Sequence, residues 1–180
     1  MVIHGLQKLT LLDYPGHTAC TVFTAHCPWR CPFCHNALLV TRLAETPEIP
    51  EREVLDFLFS RKGLLDGVVL TGGEPLVRRD LAQLVRGIRS VEGIQSVSLT
   101  TNGVLLKQQL PGLMEAGLSG VNLSLDTLDR AQYAAITRRD ALDDALQGLE
   151  AALAAPGLSV KLNCCLLYTS PSPRDISGSR

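Results

Sequence analysis

The run GVVLTGGEP at residues 67–75 indicates the fold, because it joins a buried strand directly to a glycine turn. Residues 67–71 are almost entirely aliphatic, which is typical of a strand whose two faces are both covered in a parallel sheet. Gly72 and Gly73 follow at the strand end, where successive glycines permit a turn and a close approach of the backbone to a ligand. The run predicts a buried strand that ends in a glycine turn; such a turn alone is weak evidence of a ligand site and gains strength only from what lies near it.

A second β-rich stretch lies upstream, at residues 19–24 (ACTVFT), and leads directly into a loop with three closely spaced cysteines, Cys27, Cys31 and Cys34. We interpret residues 19–24 as a strand parallel to the first. The carboxyl ends of parallel strands meet at one edge of the sheet, where α/β barrels carry their active sites. The cysteine loop and the glycine run are therefore expected to lie together.

The rest of the chain alternates short β-rich runs with amphipathic stretches, which is typical of a parallel sheet with crossover helices. Strands are predicted at residues 96–100, 120–125 and 158–163. Helices are predicted at residues 51–62, from about residue 80, and at residues 141–154. A further helical stretch is interrupted by Pro111 and Gly112 and closes at Gly117. A full eightfold barrel needs about 250 residues. The predicted fold class is α/β, a partial (β/α) barrel of about five parallel strands that is truncated at the carboxyl terminus.

One core domain is predicted for residues 1–165, because 180 residues with 46% hydrophobic content can bury one core. From residue 166 the composition changes to Ser, Pro and Arg without periodicity, so residues 166–180 are predicted to be disordered. This ending is similar to a translated adapter of the kind appended to metagenomic fragments. The natural carboxyl terminus is expected to be missing.

The charge balance argues against nucleic-acid binding, since 17 basic residues face 18 acidic ones and the net charge is -1. No run of 18 apolar residues predicts a membrane span, and residues 1–20 lack the pattern of a signal peptide. A cytoplasmic location with reduced thiols is expected. Of the remaining cysteines, Cys20 is interpreted as a buried strand residue and Cys164 as a core residue.

The three clustered cysteines predict an iron-sulfur centre. Thiolates from so short a loop can bind three corners of a 4Fe-4S cluster, which leaves one iron open to a ligand that is not protein. Other interpretations remain open: Cys31 to His35 fits the C-x-x-C-H pattern of haem attachment, and the three cysteines with His35 could form a zinc site. Buried cysteines acting as small apolar residues are a further alternative. A zinc site would leave the glycine run unexplained, and haem attachment would imply export.

Residues 27–34 (CPWRCPFC) resemble the signature of the radical S-adenosylmethionine (SAM) superfamily, including the aromatic Phe33 before the last cysteine. The resemblance implies a 4Fe-4S cluster on Cys27, Cys31 and Cys34, SAM bound to the open iron, and one-electron cleavage to a 5'-deoxyadenosyl radical. It also implies anaerobic chemistry and an electron donor such as flavodoxin or ferredoxin. On the same resemblance Gly72, Gly73 and Glu74 contact SAM, with the last two nearest its amino group.

Different parts of the chain resemble two different subfamilies of this superfamily. Residues 5–16 and 34–36, within the first 74 residues, resemble the activating proteins of anaerobic ribonucleoside-triphosphate reductase. This resemblance implies an oxidoreductase that installs a glycyl radical on a large reductase, so that the substrate is a protein. We take it as the leading interpretation at the level of sequence, because it covers the region around the cysteines.

The second subfamily is the GTP 3',8-cyclase, a lyase of molybdenum-cofactor synthesis, which residues 71–163 resemble. The likeness is carried by residues 71–79, 98–106, 121–128, 138–139 and 161–163. It implies that Ser124 joins Gly73 in contacting SAM and that Thr100 and Lys161 face the guanine nucleotide, although a strand-end hydroxyl and a solvated lysine are equally good interpretations.

The chain also departs from the cyclase pattern. Val69 and Cys20 stand where that family has arginines, and the family's second cluster motif is absent. Fewer cationic groups would then hold GTP. One hypothesis for the mixed signature is that the two halves come from different genes, joined in the stretch they share.

Overall fold

A computed structural model describes residues 2–14 and 16–164, so the predictions for residues 166–180 lie outside the described residues. The core is one seven-stranded sheet of order β3-β1-β2-β4-β5-β6-β7. Its strands are β1 (Val2–Thr10), β2 (Ala19–Thr24), β3 (Ile49–Pro50), β4 (Gly67–Gly72), β5 (Ser96–Thr101), β6 (Gly120–Ser124) and β7 (Ser159–Asn163). The five strands β2, β4, β5, β6 and β7 are parallel, which confirms the predicted α/β partial barrel.

The helices follow the predicted alternation, with two additions. They are α1 (Leu38–Thr41), α2 (Glu51–Ser60), α3 (Leu81–Arg89), α4 (Leu106–Glu115), α5 (Arg130–Thr137) and α6 (Leu142–Ala154). Sequence analysis did not predict α1 or α5. Pro111 lies inside α4, where its missing N–H removes one helical hydrogen bond without ending the helix. None of the helices described here combines the length and apolar character that crossing a membrane requires.

The antiparallel edge formed by β1 and β3 was also missed. β1 pairs with β2 through two register irregularities, between Ile3 and Gly5 and between Gln7 and Thr10. Each irregularity shifts the alternation of inward and outward side chains, and that alternation is the signal by which a strand is predicted. The strand therefore has no regular alternation in the sequence, although it pairs with both β2 and β3.

The two faces of the sheet differ in chemistry. On the helix-covered face, Val68, Leu70, Val97, Leu99 and further aliphatic side chains are fully buried in one core. On the opposite face, strand pairing sets Thr21, Val69 and Ser98 side by side, and Thr100, Asn122 and Lys161 in a second row. The helix-covered face supplies the hydrophobic stabilisation, and the polar face is left for a ligand.

Of the four leucines expected on one side of α6 (Leu142, Leu146, Leu149 and Leu153), the first is buried and the next two pack partly buried against the core, but the last does not. The buried positions are Leu142, Ala145, Gly148 and Ala152, whereas Leu153 is 66% exposed. The small residues are needed because a Cβ on Gly148 would lie 2.1 Å from the carbonyl oxygen of Gly103. The α6 backbone therefore lies directly against the turn that precedes α4.

At the other edge of the sheet, β7 pairs with β6 on one side only, and four of its five residues are exposed. Cys164 follows it and is exposed, with its Sγ 3.5 Å from the Asp126 carbonyl oxygen. The prediction that Cys164 packs in the core is therefore wrong. No described element covers the edge at which it lies.

Two helix glycines test the close approach of α6. Gly112→Ala is expected to raise the free energy of unfolding by up to about 1 kcal/mol, because alanine favours helix and a Cβ at Gly112 has no neighbour within 4 Å. Gly148→Ala is expected to lower it by about 1 kcal/mol or more, because the methyl group meets the Gly103 carbonyl. Urea denaturation measures both values; a stabilised Gly148→Ala variant would contradict the described packing.

Candidate active site

A cavity of about 200 Å³ lies at the carboxyl ends of β2, β4, β5 and β6, and it brings the cysteine loop and the glycine turn together. Every predicted site residue except Lys161 lines it. The full lining is Cys27, Trp29, Cys31, Phe33, Cys34, His35, Asn36, Thr71, Gly72, Gly73, Glu74, Thr100, Thr101, Asn102, Ser124, Asp126, Tyr133 and Thr137. Residues separated by more than 100 positions in the chain thus form one wall.

The three cysteine thiols of the loop are free and half-buried. The Trp29 backbone N–H donates to the Cys27 Sγ at 3.4 Å, and the Cys31 Sγ lies 4.0 Å from the Thr137 carbonyl oxygen. Burial raises the pKa of the Cys27 thiol to about 11 and raises that of Cys31 as well. Both shifts favour the protonated thiol in the metal-free protein, so binding of a metal would be coupled to the release of these protons.

The donor set is suited to a 4Fe-4S cluster. Within residues 2–14 and 16–164, no group of three or more His, Cys, Asp or Glu side chains gathers around one ion position. A structural zinc would need four ligands within about 2.3 Å of one ion. A 4Fe-4S cluster instead takes each cysteine at a separate iron, and three free thiols on one cavity wall meet that need.

Glycine is required in the β4 turn because the turn touches the start of the cysteine loop. The Gly73 N–H donates to the Thr24 carbonyl at 2.8 Å and the Glu74 N–H to the His26 carbonyl at 2.7 Å. A Cβ on Gly73 would lie 2.1 Å from the same His26 oxygen. Gly72 also has a φ of +114°, a value that side-chain-bearing residues rarely adopt. Backbone contact thus fixes the two loops relative to each other.

Glu74 joins the β4 turn to the turn after β5. Its Oε1 accepts hydrogen bonds from the Thr101 hydroxyl at 2.7 Å and the Leu76 N–H at 3.1 Å, and its Oε2 accepts one from the Asn102 N–H at 2.8 Å. Burial raises the pKa of Glu74, and these hydrogen bonds oppose that shift. Both carboxylate oxygens are engaged within the protein, so the side chain positions the two turns.

A second cavity of about 490 Å³ adjoins the first along the polar face of the sheet. The two cavities share His35, Thr71 and Thr100. The second is also lined by Leu12, Asp13, Val69, Asn122, Lys161 and Asn163. The Lys161 Nζ is 5.9 Å from the centroid of the Tyr14 ring, which gives the ammonium a cation–π contact.

Of the two positions where the cyclase pattern has arginine, only one faces this second cavity. Val69 lines it, whereas Cys20 is fully buried in the helix-side core, as the strand interpretation predicted. A longer side chain at Cys20 would have no room there. The departure that changes the chemistry of the cavity is therefore Val69.

Sequence analysis missed the wall that α5 contributes. Tyr133 and Thr137 line the first cavity, the Tyr133 ring meets Trp29 edge to face with centroids 5.9 Å apart, and the Arg139 Nη2 donates to the Pro28 carbonyl at 3.1 Å. One signal was available: Asp129 caps α5 by accepting a hydrogen bond from the Gln132 N–H at 2.7 Å. Nothing in the local sequence indicates that α5 reaches a loop some 100 residues upstream.

Comparison with known proteins gives a consistent family. Residues 21–170 match the radical SAM superfamily. The chain is 42% identical over 164 residues to the GTP 3',8-cyclase of Chlorobaculum tepidum, across 89% of this chain and 49% of that protein. It is 39% identical over 143 residues to the GTP 3',8-cyclase of Rhodopirellula baltica, across 78% and 40% respectively. The chain thus spans about half or less of the length of these relatives.

Among solved structures, the chain is similar to methylornithine synthase, with a TM-score of 0.65 and 19% identity over 81% of this chain and 44% of that one. At this identity the likeness concerns the fold. It agrees with the partial barrel described above.

Removing the Thr101 hydroxyl tests the role of Glu74. Thr101→Val is expected to lower the free energy of unfolding by about 1–3 kcal/mol, because a buried carboxylate loses a donor. Glu74→Gln is expected to show a coupling of at least about 0.5 kcal/mol with Thr101→Val in a double-mutant cycle measured by urea denaturation. Thr41→Val, at an exposed helix position, serves as the control and is expected to stay within about 0.5 kcal/mol of wild type. Additive single effects at the two buried positions would contradict the described bond.

Proposed function

This chain belongs to the radical SAM superfamily, whose cofactors are a 4Fe-4S cluster and SAM, and we propose that Cys27, Cys31 and Cys34 hold the cluster. When bound, the two cofactors supply one-electron cleavage of SAM, which yields methionine and 5'-deoxyadenosine once a hydrogen atom has been taken from the substrate. The observation that carries the proposal is the single cavity in which the three free thiols face the glycine turn.

Around that cavity, the other predicted residues have positioning roles. Gly72 and Gly73 line the cavity with backbone groups that SAM could contact, and Ser124 offers a hydroxyl at the end of β6. Phe33 and the α5 wall restrict the access of water to the thiols. Excluding water protects a reactive radical from side reactions. Electrons would come from a donor such as flavodoxin or ferredoxin.

For the substrate we propose GTP, which reverses the ranking reached from sequence alone. The curated relatives at about 40% identity are named GTP 3',8-cyclase, and none of the comparisons supports a glycyl-radical activator. A match over 89% of the chain leaves about 20 of its 180 residues outside, so most of residues 1–74 lie within it. The likeness to the cyclases is therefore not confined to residues 71–163, where sequence analysis had located it.

The second cavity is the proposed nucleotide site. It adjoins the thiol cavity through Thr71 and Thr100, and Lys161 is the one Lys or Arg among its described lining residues. A single ammonium beside Asp13 gives a triphosphate little compensation of charge. With Val69 in place of an arginine, we expect weak binding of GTP by the chain as it stands.

Glycyl-radical activation remains the second candidate, favoured by the resemblance of residues 5–16 and 34–36. In the structure, part of that first segment supports the sheet: the Asp13 carboxylate accepts a hydrogen bond from Thr21 at 2.8 Å, and Tyr14 packs on Ala19 and Val69. Those roles are independent of the substrate. The resemblance in this segment therefore discriminates weakly between a protein substrate and a nucleotide.

Cys31→Ala is expected to abolish the formation of 5'-deoxyadenosine, because a cluster with two cysteine ligands is not retained. Chromatography of reaction mixtures with dithionite and SAM under anaerobic conditions measures the product, and iron and sulfide analysis measures the cluster. Cys164→Ala is the matched control and is expected to keep both, since Cys164 is an exposed cysteine outside the thiol cavity. Product formation by Cys31→Ala at the wild-type rate would refute the proposed ligand set.

Lys161→Met is expected to raise the KM for GTP at least about tenfold, because a charge-assisted bond to phosphate contributes about 1.5–3 kcal/mol. The uncoupled cleavage of SAM without GTP is expected to be unchanged. Lys107→Met, whose ammonium donates to Gln147 on the helix side, is the control.

Mass spectrometry of the nucleotide products and a parallel assay with a glycyl-radical reductase separate the two substrates. A glycine-centred radical in the electron paramagnetic resonance (EPR) spectrum, together with no new nucleotide, would overturn the choice of GTP.

A further inference from the structure

Tyr133 carries a buried hydroxyl for which the cluster-free protein provides no partner. The residue is 2% exposed, and its Oη makes no hydrogen bond to any described residue. A buried hydroxyl without a partner costs roughly 1–3 kcal/mol. Because Tyr133 also lines the cavity that holds the three thiols, the missing partner is expected to be a group that enters that cavity.

The surroundings of Tyr133 point to the Cys31 side of the cavity. Thr137, one helical turn after Tyr133, has its carbonyl oxygen 4.0 Å from the Cys31 Sγ. The Tyr133 ring contacts the Trp29 ring edge to face, and the backbone N–H of Trp29 donates to the Cys27 Sγ. Burial raises the Tyr133 pKa, and the nearby Cys31, Asp126, Asp144 and Glu74 add to the shift. The phenol is therefore a donor at neutral pH.

We propose that the Tyr133 hydroxyl donates a hydrogen bond to a cluster sulfur on the Cys31 side and thereby raises the reduction potential of the cluster. The inference rests on the proposed ligand set. Hydrogen bonds to the sulfurs are among the factors that set cluster potentials. Reduction adds negative charge to the sulfurs, so a donor stabilises the reduced state more than the oxidised state. Tyr133 is a positioning and tuning residue in this scheme, and it takes no part in bond breaking.

The test is Tyr133→Phe, which removes the hydroxyl and keeps the ring against Trp29. Both proteins are reconstituted anaerobically, their iron and sulfide contents are compared, and the cluster is titrated by EPR without SAM. The equilibrium constant for one-electron reduction is expected to fall about tenfold, which corresponds to a midpoint potential about 59 mV more negative. EPR reports only molecules that carry a cluster, so incomplete loading of the variant does not affect the result.

Tyr14→Phe is the matched control, because Tyr14 is also buried but lies outside the thiol cavity. Its midpoint potential is expected to equal that of wild type. A second measurement looks for the proton itself: electron-nuclear double resonance of the reduced wild-type cluster in H₂O and D₂O is expected to show an exchangeable proton coupling that Tyr133→Phe lacks.

The outcomes are distinguishable. An unchanged potential in a Tyr133→Phe protein that carries the cluster overturns the inference and assigns the hydroxyl to SAM or a buried water. A loss of thermal stability in cluster-free Tyr133→Phe would also overturn it, because that result reveals a partner within the protein itself. If wild-type protein binds no 4Fe-4S cluster, the proposed ligand set fails instead.

Discussion

The site depends on the backbone contact between the glycine turn and the cysteine loop. Two hydrogen bonds, from the Gly73 N–H to Thr24 and from the Glu74 N–H to His26, hold the segments closer than any side chain at Gly73 would allow. Glu74 then extends the same connection to the turn after β5. Three strand ends are thereby joined, the first two directly through main-chain groups and the third through the buried Glu74 carboxylate. A ligand-binding wall built in this way is largely formed before any cofactor arrives.

The sheet has to bury a core on one side and carry a ligand-binding wall on the other, and its division into an aliphatic and a polar face meets both needs. The aliphatic face packs against the helices and stabilises the fold, so the opposite face can carry Thr100, Asn122 and Lys161 without loss of the core. The same division shows why Val69 matters more than Cys20 for substrate choice. A change on the polar face alters what the cavity can bind, whereas a change on the other face alters packing.

Much of this architecture could be predicted from the sequence, because the parallel strands are short aliphatic runs bounded by glycine, proline or polar residues. The predicted strand at residues 19–24 has the observed bounds, and the strands near residues 67 and 96 were each one residue short. β1 was missed because its irregular register obscures the alternation of its side chains. The cavity wall that α5 contributes was missed for a different reason. It depends on contact between α5 and a loop far upstream, which no local pattern encodes. Sequence analysis ranked a protein substrate first, whereas the curated relatives favour a nucleotide; the likeness around the cysteines says little about the polar face of the sheet.

The contact between Arg139 and the Pro28 carbonyl spans 111 positions in the chain. During translation at about 5–20 residues per second, the cysteine loop leaves the ribosome about 6–22 s before the segment that contacts it. Throughout that interval the thiols are open to dioxygen and to stray metal ions. Oxygen exclusion during synthesis, as well as during purification, is therefore expected to increase the fraction of the protein that can still accept the proposed cofactor.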